Sequence, residues 1–284
     1  MKIKQKKNIF LIKIVMIFFL VIFLVWFFAN RQKPVLTGGM SFTNIEITTT
    51  AKAEPTQEST LSPNETIQAA VLMYHHTGDL PEGADDIRKG LTVSGKTFDS
   101  EMKKLKDGGY NVMTLNELYN KISTGVPDKA VVLTFDDGYD DNSTVAEPIL
   151  QKYGFHGTFF IITGKVGMAE YMSEDQIKDL AKAGNEIGSH TVHHIDLSTV
   201  QGTTLNNEIK DSKTYLEKLT GLTVETFCYP SGKFSDEAKA DLLRDGYKIA
   251  VTTEASKGVF STGDLFEIPR YRVNPGSSLS FLGK

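Results

Sequence analysis

Two short segments carry the residues from which chemistry could be built. "VVLTFDDGYDDN", residues 131–142, runs from an apolar stretch into Asp136, Asp137, Asp140 and Asp141. "SHTVHH", residues 189–194, sets His190 and His194 four apart and His190 and His193 three apart. Either histidine pair can reach one cation, and a carboxylate from the aspartate segment would complete a 2-His-1-carboxylate face with open positions. Each segment also has a plainer explanation, because histidines cluster on surfaces and Asp-Asp-Gly is good turn chemistry. That explanation is adopted for Asp140 and for Asp141, where Asp141 or Asn142 can cap the following helix. It fits Asp136 and Asp137 less well, since they sit directly behind a phenylalanine that should be buried.

The elements that must position these residues follow from the apolar pattern. Candidate strands are 69–74, 130–135, 157–162, 186–189, 226–229 and 247–252, with helical stretches at 97–107, 115–122, 142–153, 173–183, 203–219 and 235–245. In the 203–219 stretch Leu205, Ile209, Leu216 and Leu219 fall on one face at helical spacing, and Ser173 with Gln176 forms a capping-box pattern. Strands alternating with helices predict an α/β fold with parallel strands, here a distorted or incomplete (β/α)7-8 barrel; a doubly wound open sheet is the alternative. The unusual residues fall behind strands. His75 and His76 follow 69–74, Asp136 and Asp137 follow 130–135, His190 follows 186–189, and Pro230 and Ser231 follow the strand predicted at 226–229. In a parallel barrel those strand ends open on one face, where active sites are built.

"TFDDG", "HTVHH" read as H-T-x-x-H, and "YPSG" together resemble the first three motifs of the polysaccharide deacetylases, carbohydrate esterase family 4, over roughly residues 69–280. "VLMYHH" and "IPRYRV" look most like the branch that deacetylates poly-β-1,6-N-acetylglucosamine. The resemblance implies a metal-dependent hydrolase that removes N-acetyl groups from an N-acetylglucosamine polymer. Asp137, His190 and His194 would hold one divalent ion, with zinc expected and cobalt, nickel or iron admitted by the ligand types. Asp136 would be the general base, and the backbone near Ser231, after Pro230, would face the oxyanion. His193 receives no role. The sequence departs from the family pattern twice. Cys228 stands where an arginine usually partners the catalytic aspartate, and Arg270 or Arg272 is the candidate replacement. No histidine follows His194 to serve as the late general acid, so His75 in "MYHH" takes that role, with His76 as the substitute. Peptidoglycan is the alternative substrate, and a non-catalytic carbohydrate-binding relative the alternative class. A metallopeptidase of the H-E-x-x-H type is excluded by the absence of that motif.

The first residues differ from the rest. Residues 1–8 are basic, and Ile9 to Ala29 is apolar except for Lys13, long enough as a helix to span about 31 Å. The expectation is a signal-anchor at 9–29 with the N-terminus inside, a Thr/Ser/Pro-rich stalk at 30–68 and an extracellular deacetylase domain at 69–284. Secretion after cleavage is the alternative, disfavoured because "FFANRQKP" lacks a small-x-small site. Beyond residue 33 the chain has 24 basic against 35 acidic residues, a poor surface for nucleic acid. The single Cys228 allows no internal disulfide, so stability must come from a core.

Overall fold

The computed structural model describes residues 64–256 and 258–277 together with Leu279 and Leu282. Seven parallel strands close into a barrel. From β2 (Ala70–Tyr74) the order runs through β10 (Ile268–Arg272), β8 (Ile249–Ala255), β7 (Thr226–Cys228), β6 (Glu186–Ser189), β5 (Thr158–Ile161) and β4 (Ala130–Phe135), which pairs back onto β2. An eighth strand, β3 (Asn111–Met113), lies along the first residues of β4. The short β1 (Thr66–Gln68) pairs antiparallel with β9 (Val259–Ser261), so a strand stands at the end of the segment predicted as stalk. The predicted anchor lies outside the described residues, among which no helix is long and apolar enough to cross a membrane.

β2 and β4 read as unbroken apolar runs because both faces of a parallel barrel strand are covered, and every residue of both is buried. Period-two alternation sorts them into two layers. Leu72, Tyr74, Val131, Leu133 and Phe135 face outward into the cluster beneath the helices. Val71, Val132, Phe160, Cys228, Ile249, Val251 and Ile268 face inward. The same alternation, continued past the apolar residues, points His75, Asp136, His190 and Arg270 inward.

The outer layer comprises α1 (Asp86–Leu91), α2 (Gly95–Asp107), α3 (Leu115–Ile122), α4 (Glu147–Tyr153), α5 (Glu174–Lys182), α6 (Gly202–Thr220) and α7 (Asp236–Arg244). Their starts are locally encoded: Ser94 and Ser235 cap α2 and α7, and capping boxes Thr114–Glu117 and Ser173–Gln176 open α3 and α5. Two expectations change. A π-helical turn, Asn142–Ala146, precedes α4, and Asp141 makes no capping hydrogen bond to it. "IPRYRV", assigned no strand from the sequence, supplies the seventh barrel strand. Its register shifts between Ile268 and Arg270, around Pro269, which cannot donate to a ladder.

Candidate active site

Arg270 is fully buried inside the barrel, and its five N–H groups find five partners. Nη1 and Nη2 each lie 2.7 Å from one oxygen of Asp136, Nη1 also reaches Thr134 Oγ1 at 2.8 Å, Nε donates to the Thr252 carbonyl at 2.8 Å, and Nη2 meets Cys228 Sγ at 3.3 Å. The position left small by Cys228 thus lies against a guanidinium arriving from β10, while Arg272 is exposed. Burial alone would raise the Asp136 pKa, but the charge and hydrogen bonds of Arg270 outweigh it and hold the carboxyl below its ordinary value. Asp136 is therefore an ionised carboxylate in a dry setting.

Asp137 sits one residue on, at φ 73, followed by Gly138 at φ 79. A Cβ on Gly138 would lie 3.3 Å from Ile161 Cδ1, so the turn that swings Asp137 out of the strand needs glycine behind it for both space and φ. Asp137 Oδ1 lies 3.4 Å from His190 Nε2 and 3.5 Å from His194 Nε2. Three donors around a zinc-sized ion at its usual bond lengths stand about 3.4 Å apart, so this set fits a divalent metal. His190 Nδ1 is 2.6 Å from the Cys228 carbonyl, which leaves Nε2 with its lone pair toward the other ligands. Burial opposes the Asp137 charge, yet the His190 imidazole and its neighbours keep its pKa well below the usual carboxylate range.

The loop carrying the histidines is held from outside the motif. Thr191 and His194 have positive φ, and the His194 N–H donates to Thr191 Oγ1 at 2.9 Å. Glu208 of α6 accepts from the backbone N–H groups of Val192 and His193 and lies 2.6 Å from His193 Nδ1. His193 is thereby turned away from the triad. Left-handed residues of this kind cost about 1–3 kcal/mol each and persist where surroundings enforce them. Glu208 had no signal in the sequence beyond its place on a predicted helix.

His75 is inward-facing. Burial lowers its pKa, and the nearby charges of Asp136 and Asp137 oppose that shift only in part. His76 is turned elsewhere: its Nδ1 is 2.9 Å from Asp141 Oδ2 and its ring stacks on Tyr139 at 3.5 Å. Asp141, expected as a helix cap, instead binds His76, because the chain enters a π turn and its side chain is drawn toward the end of β2. Ser231 is exposed at φ 55 in a turn behind the buried Pro230. On the side of His76 a cavity of about 470 Å³ is lined by His76, Arg88, Tyr139, Glu170 and Tyr171. The structure thus brings together Asp136, Asp137, His190, His194, His75 and Arg270, while His76 and His193 engage carboxylates outside the triad.

A closed seven-stranded parallel barrel with an Asp-His-His set at its mouth is the architecture of a metal-dependent hydrolase. The polysaccharide deacetylase family profile matches residues 123–250. The Bacillus subtilis (strain 168) protein YxkH, assigned to the polysaccharide deacetylases, is 30% identical over 257 residues, covering 90% of this chain and 89% of its own. A poly-β-1,6-N-acetyl-D-glucosamine N-deacetylase of Staphylococcus aureus (strain N315) is 29% identical and covers 66% of this chain and 69% of its own. Among solved structures, the Streptococcus pyogenes deacetylase PplD, in complex with acetate, superposes with a TM-score of 0.71 at 31% identity, covering 78% of this chain and all of that one. The chain belongs to the polysaccharide deacetylase family and is a polysaccharide N-deacetylase. The family is metal-dependent, and Asp137, His190 and His194 form a site that could bind the metal.

Proposed function

We propose that this deacetylase removes acetyl groups from an N-acetylglucosamine polymer, poly-β-1,6-N-acetylglucosamine in the first place. The observation that carries the mechanism is the Asp136–Arg270 pair set beside the Asp137, His190 and His194 ligands. A divalent cation held there, zinc in the first instance, would supply Lewis acidity to an acetamide carbonyl and acidify a water molecule. Asp136, kept ionised by Arg270, accepts a proton from the attacking water. The protonated form of His75 donates its proton to the amine nitrogen as the C–N bond breaks, so the products are acetate and a free amine. The backbone N–H of Ser231, in the turn after Pro230, faces the developing oxyanion.

The choice of polymer rests on the "VLMYHH" and "IPRYRV" segments and on the Staphylococcus aureus relative. The acidic balance after residue 33 suits a product that gains positive charge with each acetyl group lost. Anchoring through residues 9–29, with the domain outside the cell, rests on the sequence alone.

The test is acetate release by the full-length chain, stripped of metal and re-supplied with Zn²⁺ or Co²⁺. Oligomers of poly-β-1,6-N-acetylglucosamine, chitin oligomers and peptidoglycan serve as parallel substrates. Metal-dependent release from the first is expected. Release from peptidoglycan alone would keep the mechanism and replace the substrate. No release from any of the three, with metal bound, would assign the domain to binding.

A further inference from the structure

We propose that Asp141 and Asn142 are positioning residues that hold His75 through its main chain. The inference rests on the reading of His75 as the proton donor. Among the described residues none hydrogen-bonds to the His75 imidazole. A ring with no partner of its own is placed by its backbone. That backbone is clamped: Asn142 Nδ2 donates to the His75 carbonyl at 2.7 Å and to Asp141 Oδ1 at 2.7 Å. Asp141 Oδ2 binds His76 Nδ1 at 2.9 Å, and Thr77 Oγ1 donates to the Asp141 carbonyl at 3.2 Å. Three consecutive residues at the end of β2 are thus tied to two consecutive residues that follow the Asp136–Asp137 turn.

Helix formation does not require this arrangement. Asp141 makes no capping bond, and Asn142 is wholly buried with its Oδ1 unpartnered, a cost that a simple helix start avoids. Asn142 opens the π turn, and such turns recur at functional sites. What the clamp sets is the separation between the ends of β2 and β4. The strands are in register up to Tyr74 and Phe135, and the Asp136 N–H donates to the Tyr74 carbonyl at 3.0 Å. His75 and Asp136, the proposed acid and base, are the next residues on either side. Beyond that last ladder bond, Asn142 and Asp141 keep the two from splaying.

The consequence is specific to the leaving group. When an acetamide C–N bond breaks, the nitrogen must take a proton, here from His75, to leave as an amine. When an aryl acetate C–O bond breaks, the phenolate leaves with the electron pair and needs no proton. Misplacing the donor should therefore slow the amide far more than the ester.

The experiment compares full-length wild type, Asn142→Ala, Asp141→Asn and His75→Ala. Each is assayed on β-1,6- and β-1,4-linked N-acetylglucosamine pentamers and on 4-nitrophenyl acetate, with Zn²⁺ affinity measured by chelator competition. In Asn142→Ala and His75→Ala the amide-to-ester ratio of kcat/KM should fall about 100-fold, and Asp141→Asn should fall in the same direction by less. Zn²⁺ affinity should stay within about threefold of wild type, because neither residue touches Asp137, His190 or His194. A wild-type ratio in both Asn142→Ala and Asp141→Asn, with the ratio lost in His75→Ala, overturns the clamp and leaves the donor standing. A wild-type ratio in His75→Ala removes the donor and the clamp together. Equal losses on amide and ester, with weakened Zn²⁺ binding, would mean a general loss of structure and also overturn the proposal. Should Asn142→Ala fail to fold, Asp141→Asn, which keeps size and removes charge, carries the test.

Discussion

Arg270 donates two hydrogen bonds to Asp136, and both side chains are buried, so each charge depends on the other. Replacing one member of such a pair strands a charge in the interior. Arg270→Met should cost about 3–5 kcal/mol of stability in urea denaturation at neutral pH. A loss below about 1 kcal/mol would mean that Asp136 is solvated by other means. Asp136→Asn keeps shape and one acceptor oxygen but leaves the Arg270 charge unmatched, so it should lose stability as well as turnover. A fall of about 10²–10⁴-fold in acetate release is expected, with metal still bound on equilibrium dialysis. The aspartate pair was legible at this scale because its residue types are scarce and adjacent. The arginine was only one of two candidates, since Arg270 and Arg272 are two apart and period-two alternation does not separate them.

Among elements, the histidine loop shows how a helix steadies a site it does not belong to. Glu208 is buried on α6 and takes three donors from the 191–194 turn, fixing a loop whose residues adopt unfavourable backbone angles. Removing it leaves His190 and His194 chemically intact but free to drift. Glu208→Ala should weaken Zn²⁺ binding about 10–100-fold in chelator competition, with a smaller loss of thermal stability. Affinity unchanged within twofold would show that the turn holds itself. The predicted helices match the observed ones closely, because capping residues and apolar periodicity are local properties. The short strands β3 and β10 were not legible. β3 is three residues long, and β10 holds a proline and two arginines, so their strand character comes from neighbours already in place.

For the whole molecule, the outer core contains an ionisable pair unrelated to the site. Tyr74 donates to Glu101 Oε2 at 3.0 Å, and burial pushes the Glu101 pKa up to about 7. The folded protein therefore keeps a proton that the unfolded chain releases near the ordinary carboxyl value of 4.5. Stability from this group is full below pH 4.5 and is lost as pH rises toward 7, by roughly 3 kcal/mol in all. Glu101→Gln should flatten the fall in unfolding free energy between about pH 4.5 and 7, measured by urea denaturation across that range. An unchanged slope would place its origin in other groups.

Taken alone, the sequence determined six of the seven barrel strands and six of the seven described helices, that strands and helices alternate in parallel, and which residue types meet at strand ends. These are consequences of short-range sterics, capping and apolar period, all of which act within a few neighbouring residues. Tertiary structure decided barrel closure rather than an open sheet, because the pairing of β2 with β4 joins residues about sixty apart. It decided that Arg270 rather than Arg272 meets Asp136, that Asp141 turns to His76 instead of capping a helix, and that Glu208 steadies the histidine loop. Each of those outcomes depends on which side chains share one buried volume, and that is settled only when distant segments pack.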